Sequence, residues 1–248
     1  MEKYNWDRLK FLNENQDIIN QKETERTEQD LIREYILPTD VVLELGARYG
    51  TTTCLISKHS DSCISVEPDN TVWNALENNL INNDCNNCLV IKGFVSKKNR
   101  SLSGEGYGKS QIEDKESSIP NYSFNELEER LGKKINVLFV DCEGCFEEFL
   151  KEFPEALTNI NLIFLEKDQK NKCNYDWIDK FLKKEGFEVA IDEFHSAYVK
   201  PPRVLKNPER YKKNKVDKVD KVDNIEIIIA IITLIVIAAT LIFLIIKK

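Results

Sequence analysis

Two glycines four residues apart, Gly46 and Gly50, follow the apolar run Val41-Val42-Leu43-Glu44-Leu45, and helical sequence resumes near Thr51. A buried strand that breaks into such a turn lets a flat ligand lie directly on the backbone, because glycine has no Cβ and reaches conformations closed to other residues. Glu67 ends the next apolar run, residues 63–66, and Pro68 follows it. That spacing suits an acid at a strand tip accepting bonds from the hydroxyls of a ribose on the turn. Gly46, Ala47, Gly50, Glu67 and Pro68 are therefore candidate contacts of a nucleoside-bearing ligand. Glu44 either joins them or positions the turn from behind. Asp141 and Glu143 follow a third apolar run, residues 135–140, and are the acids placed to bind the ligand or take a proton from an acceptor. His195, alone near a terminal strand, reads first as structural or exposed and second as a proton acceptor.

The glycine spacing discriminates between ligands. A dinucleotide pyrophosphate needs G-x-G-x-x-G, and Arg48 stands where the middle glycine belongs. A nicotinamide-dependent oxidoreductase is disfavoured on that ground. The stretch reads E-x-G-x-x-x-G and resembles the first motif of class I S-adenosylmethionine-dependent methyltransferases, whose ligand carries ribose and adenine without phosphate. Residues 103–110 approach the phosphate-loop pattern, but Ser103 replaces its first glycine and the charged residues after it lack helical periodicity. A mobile glycine loop is the expectation there. Cys85-x-x-Cys88 and Cys142-x-x-Cys145 have zinc-like spacing. One pair borders a short strand, the other is interrupted by Glu143-Gly144, and Cys142 and Cys145 are expected on different sides of a turn. No metal site is predicted.

The elements that must hold these residues alternate between strand and helix. After the turn come a helix over 51–58, a strand over 63–66, a helix over 69–82 with Val72, Trp73, Leu76 and Leu80 inward, and a strand over 88–92. Residues 96–120 are polar and predict a substrate-facing loop. A capped helix over 123–131, the strand over 135–140, a helix carrying Phe146, Phe149, Leu150 and Phe153, a strand over 160–165, and a helix over 175–184 follow. Two alternating runs near 187–191 and 196–200 predict a terminal antiparallel pair. Thr27 to Asp30 reads as a capping box for a helix that Pro38 ends, and residues 1–37 as a loosely packed helical arm. The fold class is α/β: a mostly parallel, Rossmann-like sheet over residues 38–205 with helices on both faces.

Acids recur at the strand C-termini, where open α/β sheets bind ligands. Ser123-Phe124-Asn125-Glu126-Leu127, Ile135-Asn136-Val137-Leu138-Phe139-Val140-Asp141-Cys142-Glu143-Gly144 and Leu162-Ile163-Phe164-Leu165-Glu166 resemble successive motifs of FkbM-type methyltransferases, class I enzymes that mostly methylate hydroxyls of sugars and small metabolites. The resemblance covers residues 41–199 and implies S-adenosylmethionine as cofactor and a small-molecule or glycan acceptor. It implies Asp141 for the cofactor's amino group or the acceptor, and Glu143 for the acceptor or the local turn. The chain departs from the pattern at Asn125, commonly Asp, and at Phe139, commonly Lys. These departures motivate the alternative of a catalytically silent tethering or scaffold protein.

The chain has 248 residues, 42% of them hydrophobic, with a formal net charge of −7. That supports one sizeable α/β domain, and the acidic balance argues against a nucleic-acid groove. Seven cysteines, an odd and scattered set, with a charged N-terminus lacking an apolar signal segment, predict a reducing, cytosol-facing compartment. Residues 206–224, with Lys215-Val216-Asp217 recurring, read as a charged linker. Residues 225–246 are expected as a transmembrane helix, since the apolar stretch 227–246 at about 1.5 Å per residue spans about 30 Å of hydrocarbon. Lysines ahead of it keep the N-terminal domain on the cytosolic side. The architecture expected is a single-pass, tail-anchored membrane enzyme, with the oligomeric state open.

Overall fold

The computed structural model describes residues 9–20, 25–103 and 111–203. The chain divides into a unit Met1–Val204 and a unit Leu205–Lys248. The second unit, and with it the expected linker and span at 227–246, lies outside the described residues. Among the described residues no helix is long and apolar enough to cross a membrane.

The elements run α1 (Arg26–Tyr35), β1 (Val41–Leu45), α2 (Thr51–His59), β2 (Ser62–Glu67), α3 (Trp73–Asn82), β3 (Cys88–Lys92), β4 (Phe94–Val95), β5 (Ser101–Ser103), β6 (Gln111–Glu113), β7 (Asn121–Tyr122), α4 (Phe124–Leu131), β8 (Val137–Val140), α5 (Phe146–Glu152), β9 (Leu162–Glu166), α6 (Tyr175–Lys184), β10 (Glu188–Ile191) and β11 (His195–Val199). Seven of the strands form one sheet in the order β10-β11-β9-β8-β1-β2-β3. The pairs from β9 through β3 are parallel, whereas β11 runs against both β9 and β10. The antiparallel strand therefore sits one place in from the edge, and β10 forms the edge. This is a Rossmann-like sheet.

The central strands follow from their composition. Every residue of β1, β2 and β8 is buried. Strand β8 is apolar throughout, as a parallel strand with both faces covered needs, whereas β1 and β2 also bury Glu44, Ser62, Ser65 and Glu67. On one face Phe146, Phe149, Leu150 and Phe153 bring α5 onto Leu138, Val140 and Leu165 in one core cluster.

Local chemistry sets the helix ends. Ser123 caps α4 in a full capping box, its hydroxyl accepting from the Glu126 N–H while Glu126 accepts from the Ser123 N–H. Ser123→Ala is expected to lower stability by about 1 kcal/mol in urea denaturation, the usual worth of such a cap. The box expected at Thr27 does not form. Helix α1 begins at Arg26, and Glu25 precedes it at φ 52° with no side-chain cap, its carboxyl bonded instead to the Thr51 hydroxyl. Helix α3 starts at Trp73 rather than Asp69, because the Asp69 carboxylate holds the Thr71 N–H and hydroxyl in a turn.

The helical arm expected at the N-terminus is not what residues 9–20 form. They make a turn closed by a Leu12–Ile18 bridge, and Phe11, 1% exposed, packs with Ala47, Leu76 and Leu80. Asn79 holds this segment, accepting from the Leu12 N–H and donating to the Leu12 and Tyr49 carbonyls. Asn79→Ala strands these buried groups and should cost about 1–3 kcal/mol, with the segment becoming protease-sensitive before the domain unfolds. Limited proteolysis followed by mass spectrometry checks it.

The polar stretch 96–120 is closed at its ends by the pairing of β4 with β7, which flank it, and is partly built within by the pairing of β5 with β6. Residues 104–110, which hold the phosphate-loop-like motif beyond Ser103, lie outside the described residues.

Candidate functional site

Strand register assembles the site. Leu45 lies beside Val66 on one side and Val140 on the other, and Val140 lies beside Leu165. The next residues, Glu67, Gly46, Asp141 and Glu166, therefore form one row along the carboxyl edge of the sheet, continued by Lys92 opposite Glu67 and His195 opposite Glu166.

Gly46 has φ +96°, and a Cβ added there would stand 1.7 Å from the Asp141 carbonyl oxygen. No other residue fits. The Gly46 and Ala47 N–H groups both donate to the Val66 carbonyl, at 3.0 and 3.2 Å. The Arg48 N–H donates to Glu67 Oε2 at 2.7 Å, and the Asp69 N–H donates to Glu67 Oε1 at 2.7 Å. The glycine bend and the Glu67 carboxylate are thus one hydrogen-bonded unit. Because these N–H groups are already committed, the bend offers a ligand close approach rather than free donors, which suits an uncharged ribose better than a phosphate.

Glu67 is 6% exposed. Burial pushes its pKa up to about 7, against the pull of the two N–H donors. Its two backbone bonds leave lone pairs for further donors.

A cavity of ≈ 500 Å³ opens beside this unit, within the range of small-ligand and cofactor sites. Gly46, Glu67, Pro68, Asp141 and Glu143 line it. Glu44, Ala47 and Gly50 are not among its lining residues. Glu44 is fully buried and accepts from the Thr52, Thr53 and Ser65 hydroxyls at 2.6, 2.5 and 2.5 Å, tying β1 to α2 and β2. Burial raises its pKa. It takes the positioning role, one of the two that its place in the sequence allows. Ala47 is core, and Gly50 approaches Leu76 and Leu80 so closely that a Cβ would stand 2.8 Å from the Leu76 side chain.

Asp141 has its pKa driven well up by burial and by the neighbouring Glu166 carboxyl. Glu143 sits at φ 54° ahead of Gly144 at φ 89°, accepts from Gln169 at 2.5 Å, and is raised by burial and by Asp168. Cys142 and Cys145, expected apart, are joined as a disulfide across this turn, and Cys54 is joined to Cys85. Four of the seven cysteines are thus paired rather than free, and the two C-x-x-C segments do not converge on one metal. His195 is half-buried; burial opposes its charge, yet Glu166 and Glu28 outweigh that and hold its pKa at about 9. Phe139, at the position where the resemblance leads one to look for a cation, is 2% exposed and packs on Phe164 at 5.6 Å.

Sequence reasoning missed the opposite wall. Arg100, 8% exposed, donates to Glu152 at 2.8 Å and to Ser96 at 3.1 Å, and also pairs with Asp114. Ser96, Arg100 and Glu152 all line the cavity. Nothing local marks them, because the contact spans from residue 100 to residue 152. Eight carboxyl side chains and three cationic ones line the cavity; burial holds Glu25 and Glu67 at about 7, and the carboxyls that stay ionised favour a cationic ligand over an anionic one.

No protein-family model matches the sequence, and no curated protein matches it. Solved structures do. The FkbM methyltransferase from Methylobacillus flagellatus KT aligns over 65% of this chain and 44% of its own at 12% identity, TM-score 0.49. This chain thus spans less than half of that protein's length. An rRNA methylase from Streptococcus thermophilus aligns over 70% and 94% at 10% identity, TM-score 0.44. A protein of the NADB-Rossmann superfamily from Streptococcus agalactiae aligns over 79% and 83% at 11% identity, TM-score 0.46.

Proposed function

We propose that the domain binds S-adenosylmethionine and transfers its methyl group to a hydroxyl of a sugar or other small acceptor. One observation carries the reading: the Gly46 bend and the buried Glu67 carboxylate form a single hydrogen-bonded unit on the wall of a cofactor-sized, acidic cavity. Glu67 would accept from the ribose hydroxyls, and Gly46 lets the adenosine approach the backbone. The bound cofactor supplies an electrophilic methyl on a sulfonium, whose positive charge the acidic wall favours. The acceptor oxygen gains the methyl as the carbon–sulfur bond breaks, and its proton passes to a carboxylate, with Asp141 and Glu143 the cavity-lining candidates. What the protein contributes is mainly alignment and exclusion of water.

Residues 227–246 are proposed to anchor the chain in a bilayer, with the N-terminal domain facing the cytosol; the support is their length and their apolarity, interrupted only by Thr233 and Thr240. Alkaline extraction of membranes tests this: recovery of the chain in the soluble fraction overturns the anchor.

Calorimetric titration of the full chain, in detergent, with S-adenosylhomocysteine tests the cofactor. Transfer of labelled methyl to a panel of hydroxylated acceptors tests the chemistry. Absence of binding sinks the reading, as does binding of a nicotinamide dinucleotide in its place. The buried Phe139 favours the second reading, a scaffold that retains the cavity without turnover; cofactor binding with no transfer to any acceptor would select it.

A further inference from the structure

The row along the carboxyl edge continues past the cavity. Asp141 just past β8, Glu166 at the end of β9 and His195 at the start of β11 stand side by side, and Glu28, 5% exposed, meets them from α1. His195 Nε2 touches Glu28 Oε1 and lies 3.4 Å from Glu166 Oε1. It is enclosed, and neither contact has hydrogen-bond geometry. One oxygen from each glutamate and the imidazole nitrogen all lie within 4.8 Å of one another. Ligand atoms bonded to one ion at about 2.0–2.2 Å are themselves about 3–4 Å apart, so a small rearrangement of these three side chains, with Glu28 and His195 moving apart, completes such a set.

Two further features point the same way. A cavity of ≈ 10 Å³, about the room that one water takes, is lined by Glu28, Asp141, Glu166 and His195 and by the apolar Leu31, Phe139, Val140, Phe164 and Leu165. Asp141 and Glu166 are neighbours across the carboxyl edge, each following the paired residues Val140 and Leu165. The adjacent Lys167 is held away from them on Asp179 and Asp192.

We propose that Glu28, Glu166 and His195, with Asp141 beside them, form a site for a divalent cation. Carboxylates together with one imidazole suit Mn²⁺, Fe²⁺ or Zn²⁺ better than Ca²⁺, which favours oxygen ligands alone. The binding claim stands by itself. Its use rests on the transferase reading: Asp141 and Glu166 line both the small cavity and the large one, so the ion borders the acceptor space and can act as a Lewis acid on a hydroxyl.

The test uses the full chain in detergent, stripped with a chelator and titrated with Mn²⁺ alone, free ion being read by electron paramagnetic resonance. Saturable binding of one ion per chain is expected. His195→Gln and Glu28→Gln should each weaken it at least as much as the loss of an outer-shell partner, roughly 10–100-fold, with unchanged far-ultraviolet circular dichroism. Mn²⁺ should raise the melting temperature of the natural chain and not of either variant. Saturable binding by neither Mn²⁺ nor Zn²⁺ overturns the site, and this outcome depends on no variant folding. Binding that survives both substitutions overturns it too. Failures of the two proposals are distinguishable: an ion bound without affinity for S-adenosylhomocysteine keeps the site and sinks the transferase, and the reverse pattern sinks only the site.

Discussion

Gly46→Ala is expected to destabilise the domain by about 4 kcal/mol and to abolish binding of S-adenosylhomocysteine. Two costs combine. The residue sits at φ +96°, where a side chain is strained by about 1–3 kcal/mol. Its Cβ would also collide with the Asp141 carbonyl oxygen at 1.7 Å, and overpacking against main chain costs about 1–3 kcal/mol or more, since no flexible side chain can swing away. Gly132→Ala is the control. Gly132 has φ +69° but open space around a would-be Cβ, so it should show the strain alone, about 1–2 kcal/mol. Urea denaturation of both variants separates the terms. Equal losses would mean that β1 and β8 do not approach as closely at their C-termini as the structure shows. Because overall stability of such domains is about 5–15 kcal/mol, the Gly46 variant should remain folded enough at low temperature for its loss of ligand affinity to be measured.

Glu67→Ala should weaken S-adenosylhomocysteine binding at least about tenfold while leaving the fold intact, because a bond to a charged group contributes about 1.5–3 kcal/mol. The pH dependence is the more demanding test. Burial raises Glu67 from its ordinary 4.5 to about 7, so in the ligand-free domain it is largely protonated below neutrality. Ribose hydroxyls donate best to the ionised form, so binding there must release the proton. Affinity measured by calorimetry should be flat above about pH 8 and fall by up to about tenfold per pH unit below 7. That slope should vanish in the alanine variant.

Folding stability carries the opposite sign. The folded-state pKa lies above the unfolded one, so the Glu67 contribution is fully present below about 4.5 and is lost as pH rises through about 7. Glu25, also raised to about 7 by burial, acts in the same direction. Only the difference between the natural chain and a Glu67→Gln variant isolates the Glu67 share. A natural chain and an alanine variant with the same pH profile of binding would remove Glu67 from the ligand site.

Much of the scaffold was legible in the residues. The runs Val41-Val42-Leu43 and Leu162-Ile163-Phe164-Leu165 read as buried parallel strands because their apolarity has no break. Ser123 with Glu126 marked a helix start, because both partners of the capping box lie within four residues. Thr27 with Asp30 has the same local signature and no box, because Glu25 is drawn to Thr51 across the domain. Phe11 lay in polar sequence and still became core, because its pocket is made by α2 and α3.

The sequence by itself determined the strand–helix alternation, the glycine bend at 46 and the acids that end strands, since each depends on the chemistry of a few adjacent residues. Tertiary structure alone decided which of those residues share a site. Register put Gly46, Glu67, Asp141, Glu166 and His195 in one row, turned Glu44 inward onto three hydroxyls, and brought Arg100 against Glu152 and Glu28 against His195. The physical reason is that backbone pairing fixes strand offsets to a whole residue, whereas the side chains that meet across a sheet are separated in sequence by distances no local pattern encodes.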